Sequence, residues 1–441
     1  MAFRRKLRNS FKMKIAVQGL WHLGVVTTAG LTALGFDVVA FDHNKKIITG
    51  LEHGKLPVDE PGVRELLEKA KSSGRICFTI DVNELEECEI FWLTYDTPVN
   101  DEDIADVEFV FFEFEKSVVH LHPDAYVLVS SQLPVGSARR LKEKADSLRP
   151  ANNFRFAVQP ENLRLGKSLE SFLEAERIIV GTESSKPEPV LEKLYSKFST
   201  PIIWMSLESA EMTKHAINAF LATSITFMGE ISDICELVSA NARDVELGLR
   251  SDSRIGNKAY VSPGLGFAGG TLARDIKFLE AWQKNSKGML SSVIESNRVH
   301  NEWIQRSFTS FFHDRGNLNV LFMGLTYTEG TSTLRRSAML EYASKLLDSG
   351  HNVTFFEDQE IDLPEDLQNR LIPVEPSFES ALQVDAIILS KKMRWLDDEN
   401  IVKNMVSSKA VIFDPAALLL KLRQDRPLRS HYFTVGQVNA R

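Results

Sequence analysis

The stretch from Met13 to Asp42 limits the fold more than any other. "MKIAV" is a short apolar run of strand length. "QGLWHLG" is a turn, "VVTTAGLTALG" has helical spacing and stops at Gly35, and "DVVAF" is a second strand ending at Asp42. A strand–turn–helix–strand unit of about thirty residues predicts two parallel strands joined by a right-handed crossover. Further strands are expected in "CEIFWLTY" near 88–95, "AYVLVSS" near 125–131, "FRFAVQP" near 154–160 and "RIIVGT" near 177–182, with helices between them. The first 200 residues therefore read as one doubly wound α/β domain with a parallel sheet.

From Leu207 to about Leu249 the pattern changes. This stretch has no proline, no glycine before Gly229, and apolar residues at helical spacing on more than one face. It reads as a long helix, or two, buried on several sides. Near Asn319 the first pattern returns: "NVLFMGLTY", then "SAMLEYASKLLDSGHNVTFFED", then strands in "DAIILS" and "AVIFD". The expected fold is α/β, with two doubly wound Rossmann-like domains joined by a long central helix. Its expected divisions are 13–200, 201–300 and 315–441. A chain of 441 residues is too long for one ordinary core.

Composition narrows the function classes. A net charge of -8 argues against an electrostatic grip on nucleic acid. No long uncharged apolar stretch suggests a membrane span. Three cysteines, Cys77, Cys88 and Cys235, form no CxxC pair. A disulfide framework or metal site is not expected, and a cytoplasmic setting is. The basic start "MAFRRKLRNSFK" lacks the apolar core of a signal peptide. It reads as a frayed tail, or as residues upstream of a true start at Met13.

Three segments carry chemistry. In "GLWHLG", Gly19 and Gly24 hold the first and third places of a dinucleotide-binding turn, Trp21 stands in the second, and Asp42 sits where a carboxylate would bond a ribose. A plain βαβ turn with a surface Trp is the other reading. "SDSRIGNKAYVSPGLGFAGGTLARD" is a glycine-rich loop with Arg254, Lys258 and Arg274 around it, suited to an anion such as a diphosphate, or else an ordinary surface loop. Lys214 and Asn218 share one helix face and suit an oxyanion; a solvated lysine is the alternative. His22 and His215 lack metal-ligand spacing and read as structural.

Taken together, these residues resemble the UDP-glucose/GDP-mannose dehydrogenases. The likeness runs in order through "LPVDEPG" (56–62), Thr97-Pro98, "SSQLPVG" (130–136), "PENLRLG" (160–166), "KHAINAFLA" (214–222), "DSRIGNKAY" (252–260), "GFAGGTLARD" (266–275) and "GLTYTEGTSTLRRS" (324–337). It implies NAD as cofactor, a UDP-sugar substrate oxidised at its C6 alcohol, a homodimer built on the central helix, and a C-terminal nucleotide-sugar domain. A setting in surface-glycan precursor supply follows from the same likeness.

The resemblance also implies roles. Glu161 matches the family's catalytic-loop acid. Lys214 and Asn218 match the oxyanion pair, and Asp275 the aspartate that handles a water. Gly19, Leu20, Trp21, Gly24, Asp42, Thr97, Gln132, Arg274 and Arg335 fall at cofactor positions. Arg254, Tyr260, Gly264, Gly266, Phe267 and Gly269 fall at substrate positions, Arg254 being lent to the partner's sugar site.

Five departures accompany these matches. Thr271 stands where the family loop "GFGGSCFxKD" has its cysteine. Leu165 replaces the glutamate of "LREG", Gln132 the threonine of "STVPVG", Thr328 the lysine of the C-terminal "FK", and Trp21 the middle glycine. The family's second oxidation runs through a thiolate, and a threonine hydroxyl ionises far less readily. Three outcomes stay open: one oxidation stopping at an aldehyde, a redox-neutral epimerisation with retained NAD, or slow direct oxidation of the hydrated aldehyde. A non-catalytic binder of NAD and nucleotide sugars is the reading from another class.

Overall fold

The computed structural model describes residues 13–100, 104–267, 270–282, 288–313, 315–326, 337–374, 383–400, 408–421 and 432–437, together with Leu334, Val402 and Met405. The basic segment 1–12 lies outside these. The chain divides into two compact units between Ala216 and Ile217. Among the described residues no helix is long and apolar enough to cross a membrane.

The first unit is built on an eight-stranded sheet: β1 (Lys14–Gln18), β2 (Asp37–Phe41), β3 (Ile76–Thr79), β4 (Ile90–Leu93), β5 (Tyr126–Val129), β6 (Arg155–Val158), β7 (Ile178–Thr182) and β8 (Ile202–Ser206). Their order is β3-β2-β1-β4-β5-β6-β7-β8. Alternate residues feed two cores. Ile15, Val17 and Trp92 face one side, where Val25, Val26 and Ala29 of the first helix (His22–Ala33) pack. Ala16, Phe91 and Leu93 face the other, against Phe111 and Phe114. Both faces are covered, so the strands read as continuous apolar runs. Burial of each Val, Leu, Ile or Phe among them contributes about 1.5–3 kcal/mol.

The sheet corrects two expectations. It is mixed, because β6 pairs antiparallel with β7 through Ala157–Thr182 and Val158–Gly181. The segment between them, 159–177, holds only the helix Ser168–Leu173. It returns the chain in the opposite direction while Phe172 packs in the core on the Trp92 face, and "PENLRLG" lies in it. Strands β3 and β8 were not anticipated; both have half-exposed residues that blur the apolar signal.

The central helix, Leu207–Val238, is a single element of 32 residues, followed by a second helix, Ala242–Ser251. The expectation that it is buried on several sides fails on one face. Phe220 is 72% exposed and Leu237 84%, with Phe227, Ile234 and Val238 also open. Phe220, Phe227 and Ile234 recur every seven residues, which makes an apolar stripe. Helical periodicity reports a demand for burial but not the surface that meets it.

In the second unit a parallel six-stranded sheet has the order β11-β10-β9-β12-β13-β14. Its strands are β9 (Asn319–Met323), β10 (Asn352–Phe356), β11 (Ile372–Pro373), β12 (Ala386–Leu389), β13 (Val411–Phe413) and β14 (Tyr432–Phe433). Val320 and Phe322 enter one core, Leu321 and Met323 the other. The strand–helix–strand grammar read from the sequence is present, with Gly350 at φ 82° closing the helix Ala338–Asp348.

Candidate functional site

In the first sheet the strand order reverses between β1 and β4, and ligands of doubly wound folds bind in the crevice at that point. A cavity of about 390 Å³ lies there. It is lined by Trp21 after β1, by Asp42, His43 and Asn44 after β2, by Tyr95, Asp96 and Pro98 after β4, and by Phe109, Glu113 and Lys116 of the helix Val107–Val118. Gly19 adopts φ 95°, and a Cβ there would meet the Tyr95 backbone nitrogen at 2.7 Å; one at Gly24 would lie 2.0 Å from the Gly19 carbonyl oxygen. Only glycine fits these two positions, as a dinucleotide turn requires.

Asp42 is buried, and its two oxygens accept from the Leu20 and Asn44 amides, each at 2.8 Å. Burial pushes its carboxyl above the usual range, and the two amides only partly offset this. The adenosine side of a dinucleotide has its expected fittings here: a glycine turn, a carboxylate at the end of β2, and apolar walls from Ile47, Tyr95 and Phe109. Trp21, about half exposed, stands in the mouth of the cavity.

A second group gathers Gln132, Glu161 and Lys214. They line one small recess, about 20 Å³, beside Leu133, Pro160, Glu211 and His215. The Lys214 ammonium lies 2.8 Å from the Glu161 carboxylate and donates to the Glu161 carbonyl at 2.7 Å. Thr97 Oγ1 donates to the Gln132 carbonyl at 2.7 Å. Glu211, unremarked in the sequence, fastens this end of the central helix. Its carboxylate accepts from the Gly136 and Ala138 amides at 2.6 and 2.8 Å, capping the helix Ser137–Leu148. His215 Nε2 lies 2.9 Å from the Leu133 carbonyl, and His22 Nε2 lies 2.8 Å from Glu60, so both histidines are structural as read.

In the second unit Asn218 donates through Nδ2 to Asp275, whose side chain is fully buried. Asp275 lies on the helix Gly270–Glu280. Thr271 sits in its first turn, exposed and four residues before Asp275, hence on the same face. Gly264, Gly266 and Phe267 form a pinned loop. The Phe267 amide donates to Asn297 Oδ1 at 2.9 Å and Asn297 Nδ2 returns to the Phe267 carbonyl at 2.8 Å. A Cβ on Gly266 would meet Asn297 Oδ1 at 2.1 Å. Arg254 is exposed and, among the described residues, is paired with Asp252 at 2.6 Å, and Tyr260 is half exposed. Gly269, Thr328 and Arg335 lie outside the described residues.

The pins of this loop, Asn297 and His300, were missed. They lie on the helix Met289–Asn301, about thirty residues from the loop, and no local motif marks them. His300 bridges the Gly264 carbonyl (Nε2, 2.9 Å) and the Asp233 carboxylate (Nδ1, 3.1 Å). Both partners are acceptors, so the site suits the doubly protonated ring. Burial alone would lower the His300 pKa, but Asp233 and the carbonyl hold it above its ordinary value. A raised folded value means that this stabilisation is complete below about pH 6.5 and lost as pH rises through the folded value. Hydrogen exchange at 264–267, corrected for intrinsic rate, is expected to quicken from pH 6 to pH 8.5. In His300→Gln that pH dependence disappears, and persistence of it would refute the assignment.

The second sheet repeats the architecture with different charge. Glu357, after β10, accepts from the Leu325 and Thr326 amides at 2.9 and 3.0 Å, as Asp42 does from Leu20. After β12 stands Lys391, 2.7 Å from Glu357, in a buried pair that holds Glu357 below the usual carboxylate range against the opposing effect of burial.

A glycine turn at a switch point, a carboxylate closing β2 and a repeated doubly wound unit define a dinucleotide-dependent enzyme of the α/β class. Comparison with known proteins makes this particular. Residues 13–199 match the NAD binding domain of the UDP-glucose/GDP-mannose dehydrogenase family, and 208–303 match its central domain. The chain belongs to that family. It is 30% identical over 412 residues to the UDP-glucose 6-dehydrogenase of Rickettsia prowazekii, covering 89% of this chain and 93% of that one. It is 30% identical over 351 residues to the UDP-glucose 6-dehydrogenase TuaD of Bacillus subtilis, covering 78% and 76%. A UDP-glucose dehydrogenase structure from Pyrobaculum islandicum superposes with a TM-score of 0.82 at 25% identity, covering 98% of this chain and 99% of that one.

Proposed function

We propose that the chain oxidises the C6 alcohol of a nucleotide sugar, a UDP-hexose by default, and that Thr271 slows or stops the second oxidation. Membership of the family supports the substrate class. The observation that carries the reading is the retention of the polar pairs, Lys214 with Glu161 and Asn218 with Asp275, in a chain whose Thr271 stands in an exposed first turn.

NAD, when bound, supplies the hydride acceptor. The residues of this chain do the rest. The Lys214 ammonium and the Asn218 amide stabilise negative charge on the sugar oxygen as its proton leaves. Asp275, held by Asn218, orients a water. Glu161 holds Lys214 in place. Gly19, Gly24 and Asp42 would hold the cofactor, with Thr97 and Gln132 joined beside them through their own hydrogen bond. The loop at Gly264, Gly266 and Phe267 would cradle the diphosphate of the sugar nucleotide.

The working unit is a homodimer in the cytoplasm. The open stripe of Phe220, Phe227, Ile234 and Leu237 supports a second copy on the central helix. Arg254, exposed and paired with Asp252 two residues away, suits a role in the partner's sugar site. Light scattering is expected to give twice the chain mass, falling to the chain mass in Phe220→Glu/Leu237→Glu.

The reading is tested by offering NAD with UDP-glucose and UDP-N-acetylhexoses, following NADH and identifying products by mass spectrometry. Turnover of none of them, with calorimetric binding of both ligands intact, would favour the binder, the reading to which Trp21 lends weight.

A further inference from the structure

The amides at the N-terminus of the first helix are the natural seat of a dinucleotide's diphosphate, because they are unpaired donors at the positive end of the helix dipole. In this chain carboxylates of the protein already hold two of the turn's amides. Asp42 accepts from Leu20, and Asp96 Oδ2 accepts from Leu23 at 3.4 Å. Asp96 is exposed and lines the switch-point cavity beside Trp21. A carboxylate carries the same charge sign and the same acceptor oxygens as a phosphate, so it meets the same amide.

The rest of the cavity does not compensate. Among the lining residues the other carboxylates are Asp42 and Glu113, and the basic side chains are His43 and Lys116. Lys116 is bound to Glu113 at 2.7 Å, and burial and Lys116 lower the pKa of His43. Trp21 adds bulk where the second glycine of a dinucleotide turn lets the backbone approach the diphosphate.

We infer that Asp96 and Trp21 are affinity-determining residues that oppose the diphosphate of the dinucleotide, so that this chain holds NAD weakly while its cavity still accepts the adenosine half. The inference rests on the proposed NAD-dependent reading and concerns binding, not turnover. Repulsion between exposed charges is screened by salt. NAD affinity of the native protein is therefore expected to rise between low and moderate ionic strength.

The test is calorimetric titration of the full chain with NAD and, separately, with adenosine, which has no phosphate. Asp96→Asn keeps the acceptor oxygen and removes the charge. It is expected to tighten NAD about tenfold, in keeping with the effect of a like charge near a helix end, and to change adenosine less than about twofold. The salt effect on NAD should shrink in this variant, and Trp21→Gly should also tighten NAD. Unchanged or weaker NAD binding in Asp96→Asn, or an equal gain for adenosine, would overturn the inference. If adenosine binds every protein and NAD binds none, Asp96 is not the obstacle and the inference fails while the cavity assignment stands. If neither ligand binds any of the proteins, the NAD reading falls and the inference with it.

Discussion

Thr271→Cys is expected to turn a reaction that yields one NADH per sugar into one that yields two, with acid in place of aldehyde. The reason lies in what an aldehyde needs before a second hydride can leave: a nucleophile must add and place an oxyanion on the same carbon. A thiol with a pKa of about 8.5 is a few per cent ionised at neutral pH, and a helix N-terminus increases that fraction. Position 271 is in the first turn of the helix Gly270–Glu280, so a cysteine there gains this help. A hydroxyl ionises only far above the thiol range, and the dipole cannot close that gap. Acid formation in Thr271→Cys should rise by at least about a hundredfold, since the difference in ionisation exceeds any loss of intrinsic nucleophilicity. Mass spectrometry of the trapped product and the NADH count decide it. Two NADH and full-speed acid formation in the native protein would show that Thr271 is no barrier.

Lys214→Ala is expected to slow the first oxidation by on the order of 10²–10³-fold, the usual loss when a preorganised charge facing a developing oxyanion is removed. The side chain is mostly buried, 12% exposed, and is held at 2.8 Å by Glu161, and the neutral Asn218 amide cannot supply the lost charge. The effect should fall on kcat, with NAD binding unchanged, because Lys214 is not among the residues lining the switch-point cavity. Lys214→Arg keeps charge but changes reach and is expected to recover only part of the rate. A loss of less than about fivefold in Lys214→Ala would assign Lys214 to holding the loop at Glu161 and not to the chemistry.

The likelihood that a residue was legible in the sequence tracked the range of the interaction that defines it. Gly19, Gly24 and Asp42 were readable because a turn, a helix and the end of the next strand are local, and their spacing encodes the geometry. The Lys214–Asn218 helix face was readable for the same reason. Asp96 was not singled out, although it lies next to Thr97. Its importance comes from touching the Leu23 amide, 73 positions away in the chain. Asn297 and His300 escaped for the same reason, and so did Glu211, whose partners Gly136 and Ala138 are far off in sequence. The antiparallel β7 escaped because strand direction is set by where a connection can go, and apolar runs look alike in both directions.

By itself the sequence determined the two doubly wound units, the long helix, the dinucleotide turn with Trp21 in its middle position, and a threonine at 271 with all three cysteines elsewhere. These follow from periodicity, from glycine's backbone freedom, and from side-chain chemistry that no fold can alter. Only the tertiary structure decided which anion sits on the first helix, which face of the central helix stays open, and what holds the loop at Gly266. Each of those depends on groups distant in the chain meeting within hydrogen-bond or van der Waals reach, and only the folded backbone fixes such meetings.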